Sequence, residues 1–109
     1  MRIWMIGADR GAIEALQQLE KNEEITVIIS ARTERPLAMS QGFIDHVDYV
    51  EFVTPANVNT LARRIRPDLI LIDASADGRS YGRLSGGMVF SESMVGEIAA
   101  TCDYPCLIL

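Results

Sequence analysis

The chain has little of what metal sites, disulfide frameworks and membrane anchors require. It contains two cysteines, Cys102 and Cys106, and a single histidine, His46, too few for a cysteine–histidine metal site or a network of disulfides. No apolar run approaches the roughly 18 residues that a membrane-spanning helix needs. We therefore expect a soluble, cytoplasmic protein that has two reduced thiols and binds no metal.

Basic residues are also scarce, and this bears on the class of partner. Ten lysines and arginines stand against fifteen aspartates and glutamates, and the net charge is −5. Nucleic-acid binding requires a basic face that neutralises phosphates, so the composition argues against such a partner. A nucleotide ligand is still compatible with an acidic chain, because the backbone N–H groups at a helix N-terminus bind phosphate without basic side chains.

The hydrophobic residues, 49% of the chain, follow an alternation of strand and helix patterns. The predicted strands are Arg2–Gly7, Ile25–Ser30, Tyr49–Val53, Leu69–Asp73 and Cys106–Leu109. The predicted helices are Gly11–Asn22, a short helix after Pro36 that ends near Gly42, Pro55–Ile65 and Ser91–Thr101. Because helical crossovers make strands parallel neighbours, residues 1–109 are predicted to form a single α/β domain. Its sheet is expected to be doubly wound, mostly parallel, five-stranded and Rossmann-like, in the order 3-2-1-4-5.

The third predicted helix carries the clearest boundary signals. Thr54 is a suitable N-cap, and Pro55 suits the first helical position. Arg66-Pro67 is expected to end the helix, because the residue before a proline is pushed out of helical geometry. One helical face is apolar, at Val58, Leu61, Ala62 and Ile65.

The turn between the first strand and the first helix is the candidate ligand site. It reads Gly7-Ala8-Asp9-Arg10-Gly11-Ala12, in the place where dinucleotide-binding domains carry a G-x-G-x-x-G/A turn under the pyrophosphate. Gly7 and Ala12 match that pattern. Asp9 departs from it, since a bulky negative carboxylate stands where the central glycine is expected. In a shifted register, Gly11 would be the glycine that lets the backbone approach a phosphate.

The end of the second strand favours one cofactor over another. It reads Ser30-Ala31-Arg32, and no acid follows until Glu34. NAD-type sites place an acid there on the ribose hydroxyls, whereas an arginine accommodates the 2′-phosphate of NADP. The pattern therefore fits NADP better than NAD. The alternative is that Arg32 and Arg35 are solvated loop charges.

The segment after the fourth strand is the second half of the candidate pocket, because ligands of open sheets bind at the carboxyl ends of the strands. It is rich in glycine and is predicted to be a loop over Ala74–Gly87. Tyr81 lacks the Tyr-x-x-x-Lys partner of reductases, since Ser85 stands four residues later. No nucleophile with a base is evident, so catalysis is not expected. Asp73 and Asp77 border this loop, and the polar residues that could line a pocket with them are Ser75, Ser80, Tyr81 and Arg83.

The predicted cofactor-binding set combines these three places. Its members are Gly7, Ala8, Asp9, Arg10, Gly11, Ser30, Ala31, Arg32, Asp73 and Ser75. No catalytic or metal-binding residue is predicted beside them.

Three features of this sequence resemble known families. The turn with Arg10, and the segment Asp48–Ala62, resemble the nucleotide-binding domain of potassium-uptake regulators (the TrkA N-terminal family), with its I-x-G-x-G-R-x-G turn, over roughly residues 1–75. That resemblance implies a ligand-sensing, NAD(P)-binding domain in a homo-oligomer, without catalysis. Arg66–Asp73 is similar to the strand of response-regulator receivers that ends in a phosphorylated aspartate. The same segment also looks like small domains that precede an ATP-grasp module.

Two functional hypotheses follow. The first is a regulatory, nucleotide-sensing domain with NADP or NAD at the Gly7–Gly11 turn. The second is a degenerate Rossmann-like scaffold that binds no nucleotide and serves assembly, and a homodimer is plausible for either. The chain ends within the apolar stretch Leu107–Leu109, which predicts that the domain is the N-terminal part of a longer protein.

Overall fold

The computed structural model describes residues 1–75 and 87–109, with side chains over residues 1–75 and 94–109. The strands are β1 (Arg2–Ile6), β2 (Thr26–Ala31), β3 (Tyr49–Val50), β4 (Leu69–Ile72) and β5 (Cys106–Ile108). The helices are α1 (Arg10–Leu19), α2 (Leu37–Ser40), α3 (Val58–Ile65) and α4 (Gly87–Thr101). Most of the predicted loop after the fourth strand, with Asp77, Ser80, Tyr81 and Arg83, lies outside the described residues.

The five strands form one parallel sheet in the order β3-β2-β1-β4-β5. The α/β class, the parallel sheet and the strand order are therefore confirmed. The apolar strand β1 is central, because it pairs with β2 on one side and with β4 on the other. The turn that follows β1 consequently lies at the middle of the sheet's carboxyl edge.

Two hydrophobic clusters cover the two faces of the sheet. Since successive side chains of a strand point to opposite faces, Trp4 belongs to one cluster and Met5 to the other. The first cluster packs β1 and β4 against α3 and α4, and the second packs β1 and β2 against α1 and α2. This two-sided cover explains why the central strands lack the polar–apolar alternation of half-exposed strands.

The apolar face predicted for α3 is confirmed, but its predicted start is wrong. Its members Val58, Leu61, Ala62 and Ile65 are all buried. The helix begins at Val58, three residues after Pro55, because Asn57 organises the preceding turn. The Asn57 Oδ1 accepts a hydrogen bond from the Thr54 N–H at 2.7 Å, and its Nδ2 donates to the Phe52 carbonyl at 2.8 Å. These bonds occupy backbone groups that a longer strand would need, so β3 ends at Val50 and not at Val53.

The end of α3 at Arg66-Pro67 is confirmed. Arg66 is the C-cap and has a left-handed backbone with φ of 57°. Its N–H still bonds the Ala62 carbonyl at 2.7 Å. The proline that follows disfavours helical geometry at Arg66, so the helix ends there.

The other helix boundaries move by a few residues. Helix α1 ends at Leu19 and not at Asn22, because Lys21 and Asn22 donate to carbonyls three residues back, as in a tighter turn. Helix α4 begins at Gly87, four residues before the predicted start. None of the helices described here is both long and apolar enough to cross a membrane.

The two cysteines lie close together near the sheet edge, Cys102 directly after α4 and Cys106 in β5. Burial, followed by the neighbouring Cys102 thiol, raises the pKa of Cys106 to about 12. Because the thiolate is the nucleophile, Cys106 should react with iodoacetamide at pH 8.5 on the order of 100-fold more slowly than free cysteine. The rate is best measured by mass spectrometry of the unmodified protein after cleavage at Asp103, which separates the two cysteines. Alkylation at the rate of free cysteine in the folded protein would contradict this expectation.

Candidate ligand-binding site

The carboxyl ends of β1, β2 and β4 surround a cleft of about 400 Å³, here called the switch-point cleft. Helix α1 follows β1 on one face of the sheet and α3 precedes β4 on the other. Open parallel sheets bind ligands where their connections diverge in this way. A volume of roughly 300–1,000 Å³ is typical of small-molecule pockets, so the size and the place both suit a small ligand.

The turn after β1 requires its first glycine. Gly7 has φ of 88°, a conformation that glycine adopts without steric cost. Its N–H donates to the Ser30 carbonyl at 2.8 Å, which fixes the turn against the end of β2. Gly7 and Ala8 both line the cleft.

The amides at the start of α1 already bind a carboxylate, that of Asp73. This residue follows β4 directly and is 2% exposed. Its Oδ2 accepts hydrogen bonds from the N–H groups of Asp9 at 2.9 Å and Ala12 at 3.0 Å. In dinucleotide-binding domains the equivalent amides face the pyrophosphate. Here an acidic side chain from a neighbouring strand occupies that position.

Ser75 completes the arrangement. Its N–H and its hydroxyl both bond the Asp73 Oδ1, at 2.9 and 2.5 Å. The Ser75 Oγ in turn accepts the N–H of Gly11 at 3.0 Å. Asp73 therefore caps its own turn and the N-terminus of α1 at once, which joins β4 to α1.

Gly11 is needed for this close approach. A Cβ at this position would overlap the Asp73 Oδ1, and Asp73 cannot move without losing bonds to Ala12 and Ser75. Gly11→Ala should therefore lower the free energy of unfolding by about 1–3 kcal/mol, as overpacking does. Urea denaturation would measure the change.

Gly96→Ala provides the matched control for that substitution. Gly96 lies within α4 and a Cβ there would meet nothing within 4 Å. Alanine is the better helix former, so this variant should gain up to about 1 kcal/mol. Equal effects of the two substitutions would show that the Asp73 carboxylate does not constrain Gly11.

The side chain of Asp9 bonds a neighbouring helix and does not add a phosphate-binding group to the turn. Its Oδ1 accepts the N–H of Leu37 at 2.9 Å, at the start of α2. The neighbouring Ala8 carbonyl accepts the N–H of Ala38 at 2.9 Å. The carboxylate that breaks the glycine pattern thus attaches α2 to the turn, and this long-range contact is not evident from the sequence.

Ser30 is a predicted site residue whose side chain makes a hydrogen bond within the core. It is 1% exposed, and its Oγ accepts the Trp4 indole N–H at 2.9 Å. The hydroxyl therefore satisfies a buried tryptophan in the core. Ser30 also lines the cleft, and its contact with a cofactor stays a prediction.

Two arginines stand at the β2 end of the cleft. Arg32 follows β2, and its guanidinium lies over the ring of Phe52, with 3.9 Å between Cζ and the ring centroid. Arg35 is exposed and also lines the cleft, together with the carboxylate of Glu51. Cations and acids are thus both present, with the arginines at the β2 end and Asp73 at the α1 end.

The structure brings only part of the predicted set together. The members that line the cleft are Gly7, Ala8, Asp9, Ser30, Ala31, Arg32 and Asp73. Arg10, Gly11 and Ser75 are not among its lining residues, and Arg10 and Ser75 face a separate shallow depression. Arg35, considered before only as a loop charge, belongs to the cleft. In the described part of the chain, no group of three or more His, Cys, Asp or Glu side chains could hold a metal.

Comparison with models of protein families, with curated proteins and with solved structures found no match. The resemblance to potassium-uptake regulators therefore stays a prediction. The geometry of the switch-point cleft is what supports a functional proposal.

Proposed function

We propose that this domain is a ligand-sensing module that binds a nucleotide in the switch-point cleft and catalyses no reaction itself. The observation that carries the proposal is the position of the cleft, at the carboxyl ends of β1, β2 and β4, where open α/β sheets bind nucleotides. The turn at Gly7 supports it, because its positive φ favours glycine, which has no side chain at the cleft wall.

The arginines suggest how the nucleotide lies. In this proposal its adenosine is held at the end of β2, and a ribose 2′-phosphate contacts Arg32 and Arg35. A guanidinium binds phosphate through paired N–H donors. The preferred cofactor would then be NADP and not NAD, in agreement with the absence of an acid at the end of β2.

A panel of nucleotides tests the proposal by thermal shift. The ligands are NADP, NADPH, NAD, NADH, ATP, ADP, AMP and S-adenosylmethionine at millimolar concentration. A ligand present at about 100 times its Kd should add roughly 2.7 kcal/mol of stability, which is several degrees in Tm for a domain of this size. We expect NADP or NADPH to give the largest rise.

Two matched variants test whether the rise in Tm comes from binding in the switch-point cleft. Arg35→Ala should reduce it, because a cation that contacts the phosphate is lost. Arg63→Ala, which removes an exposed arginine of α3 outside the cleft, should leave it unchanged. A rise that survives Arg35→Ala and falls with Arg63→Ala would place the ligand elsewhere and overturn the proposal.

A scaffold that binds no nucleotide is the second candidate, and the Asp73 contact favours it. The amides that would hold a phosphate already have the chain's own carboxylate as acceptor. In that case no nucleotide of the panel should change the Tm, and the domain would serve assembly. Its self-association, for instance as a homodimer, would then be measured by sedimentation.

A further inference from the structure

We infer that a second surface of this domain, a groove between α1 and β2, binds a basic amphipathic helix of a partner protein. The groove has a volume of about 690 Å³. It lies at the amino half of β2, whereas the switch-point cleft lies at the carboxyl end of that strand. Helix α1 with the turn after it forms one wall, β2 forms the floor, and residues 42–46 form the other wall. This surface is here called the α1–β2 groove.

The floor of the α1–β2 groove is apolar because three side chains on one face of a strand share it. Ile25, Val27 and Ile29 stand at alternate positions, and alternate side chains of a strand point to the same face. All three line the groove, with Leu16 and Leu19 of α1 beside them. Ile25, Val27 and Leu19 are only half-buried. Apolar surface that is left partly uncovered and is bordered by polar residues is typical of a binding site.

The groove is open because the connection from β2 to β3 is too short to cover it. Helix α2 has four residues and is attached to the turn after β1, where Ala38 donates to the Ala8 carbonyl at 2.9 Å. Strand β3 pairs only with Ser30 and Ala31 at the end of β2, so the chain returns along only part of that strand. In the described part of the chain, no helix therefore lies beside α1 over the amino half of β2. A partner helix fits this position in the helical layer.

The length of the floor matches a short helix. From Ile25 to Ile29 the chain takes four steps of roughly 3.3 Å, which is about 13 Å in extended backbone. An α-helix covers about 13 Å with roughly nine residues. A helix of that length presents apolar side chains at positions i, i+3, i+4 and i+7 of one face. The floor therefore accommodates the apolar face of about two and a half helical turns.

The rim of the groove is negatively charged, which determines the charge of the partner. Glu20 and Glu23 are exposed on the α1 side, and Asp45 is exposed on the opposite wall. Among the side chains that the structure describes, no lysine or arginine forms an ion pair with Glu20 or Glu23. The last turn of α1 has no basic residue, so the negative end of the helix dipole adds to these charges. Charge complementarity therefore predicts lysines or arginines beside the apolar face of the partner.

Two nearby cationic groups do not reverse this charge. The Lys21 side chain does not line the groove, and its Nζ donates to the Gln18 Oε1 at 3.3 Å. His46 does line the groove, but its ring nitrogens contact Asp45 at 2.6 Å and Asp48 at 3.2 Å. The hydrogen bond with Asp45 and then the charge of Asp48 raise the pKa of His46. Two carboxylates outweigh one imidazolium, so the rim stays negative when His46 is protonated.

The wall opposite α1 is held in place without a partner. Gly42, with φ of 81°, follows α2, and the Phe43 N–H donates to the Ala38 carbonyl at 2.8 Å. Asp48 fixes the end of this segment to β2, because its carboxylate accepts the Ile29 N–H at 2.8 Å and its N–H donates to the Ile29 carbonyl at 2.9 Å. The Phe43 side chain is 38% exposed and lines the groove. A preformed wall with an apolar side chain lowers the cost of ordering on binding.

Designed peptides test the inference on the unmodified protein. The probe is a dye-labelled peptide of about 16 residues, in which leucines form one helical face and lysines the other. Fluorescence anisotropy is measured in about 0.15 M NaCl, which screens long-range attraction to an acidic protein. We expect a Kd on the order of 10 µM. Two control peptides should bind at least about tenfold more weakly: one has the same residues in an order without an apolar face, and the other has glutamate in place of lysine. Equal binding of the reordered peptide would show attraction by net charge alone and overturn the inference.

Matched variants locate the peptide on the protein. Glu20→Lys should weaken binding by about tenfold, whereas Glu14→Lys should change the Kd by less than about threefold. Both residues are exposed on α1 and the charge change is the same, but Glu14 does not line the groove. Phe43→Ala should also weaken binding, and Leu107→Ala, which removes an exposed apolar side chain of β5, should not. Equal effects of Glu20→Lys and Glu14→Lys would show that the peptide does not bind in this groove.

Spectra and sedimentation distinguish the partner helix from other occupants. On binding, the helical circular-dichroism signal of the peptide should rise, and the methyl signals of Leu16, Leu19 and Val27 should shift most. Methyl shifts confined to the switch-point cleft would refute the inference. If the protein alone forms a dimer that the peptide dissociates and that Glu20→Lys weakens, a second copy of the chain occupies the groove and the inference is wrong. Absence of binding at about 1 mM peptide would overturn it as well, and the nucleotide proposal would be unaffected.

Discussion

Replacing Trp4 by alanine should lower the free energy of unfolding by about 3–5 kcal/mol, the range for large aromatic side chains removed from a core. Trp4 is completely buried at the centre of β1, where it packs with residues of β4, α3 and α4. The truncation opens a cavity in the larger of the two clusters. It also removes the indole Nε1–H of Trp4, which donates a hydrogen bond to the buried Ser30 Oγ at 2.9 Å.

Urea denaturation followed by circular dichroism would measure this effect, because the chain has a single tryptophan and the substitution removes the fluorescent probe. Trp4→Phe should lose less, since it keeps most of the apolar volume. Adding Ser30→Ala to Trp4→Phe should restore part of the loss, because removing both partners of a buried hydrogen bond costs less than removing one. A loss below 1 kcal/mol in Trp4→Ala would show that this part of the core is not closely packed.

The sequence predicted the sheet because its strands have a pattern that few other arrangements produce. The stretch Ile25–Ser30 is nearly continuously apolar and β-branched, which favours a strand covered on both faces. Helical segments between such strands leave only parallel crossovers. The apolar face of α3, with Val58 and Ile65 among its members, was equally clear because a helix buries residues at a fixed spacing. All of these properties depend on residues that are close together in the sequence, so the sequence alone can predict them.

The boundaries that were wrong depend on side chains that act at a distance along the chain. Asn57 sets the length of β3, because its side chain accepts a hydrogen bond from the Thr54 N–H and donates one to the Phe52 carbonyl. A strong N-cap candidate at Thr54 and a proline at the next position gave no sign of that contact. Propensity was therefore a good guide to the existence of α3 and a poor one to its first residue.

The candidate site was predictable in place but not in detail. The glycine turn at Gly7 and the carboxyl edge of the sheet follow from the order of the elements. The partner of the α1 amides does not, since Asp73 lies 64 residues from Asp9 in sequence. One signal was present in retrospect: an aspartate directly after a buried strand, with Ser75 two residues later, is a common turn-capping pattern. The sequence pattern did not show that the same carboxylate reaches α1.

Asp73→Ala should lower the free energy of unfolding by about 2–4 kcal/mol, because it removes the carboxylate that accepts from the Asp9 N–H, the Ser75 N–H and the Ser75 hydroxyl. The N–H groups of Asp9, Ala12 and Ser75 all lose their carboxylate. The variant also removes a negative charge from the N-terminus of α1, where the helix dipole favours one. The Ala12 N–H keeps the Asp9 carbonyl as an acceptor at 3.1 Å, so hydrogen exchange should show the larger loss of protection at the Asp9 amide.

Asp68→Ala is the matched control, since the Asp68 carboxylate accepts one exposed bond, from the Arg2 N–H at 2.7 Å. It should cost less than about 1 kcal/mol. Asp73→Asn should fall between the two, because its amide oxygen can still accept from Asp9 and Ala12 while its NH₂ group faces the Ser75 N–H. If Asp73→Ala costs no more than Asp68→Ala, water or another acceptor reaches the α1 amides easily. A ligand phosphate could then do the same.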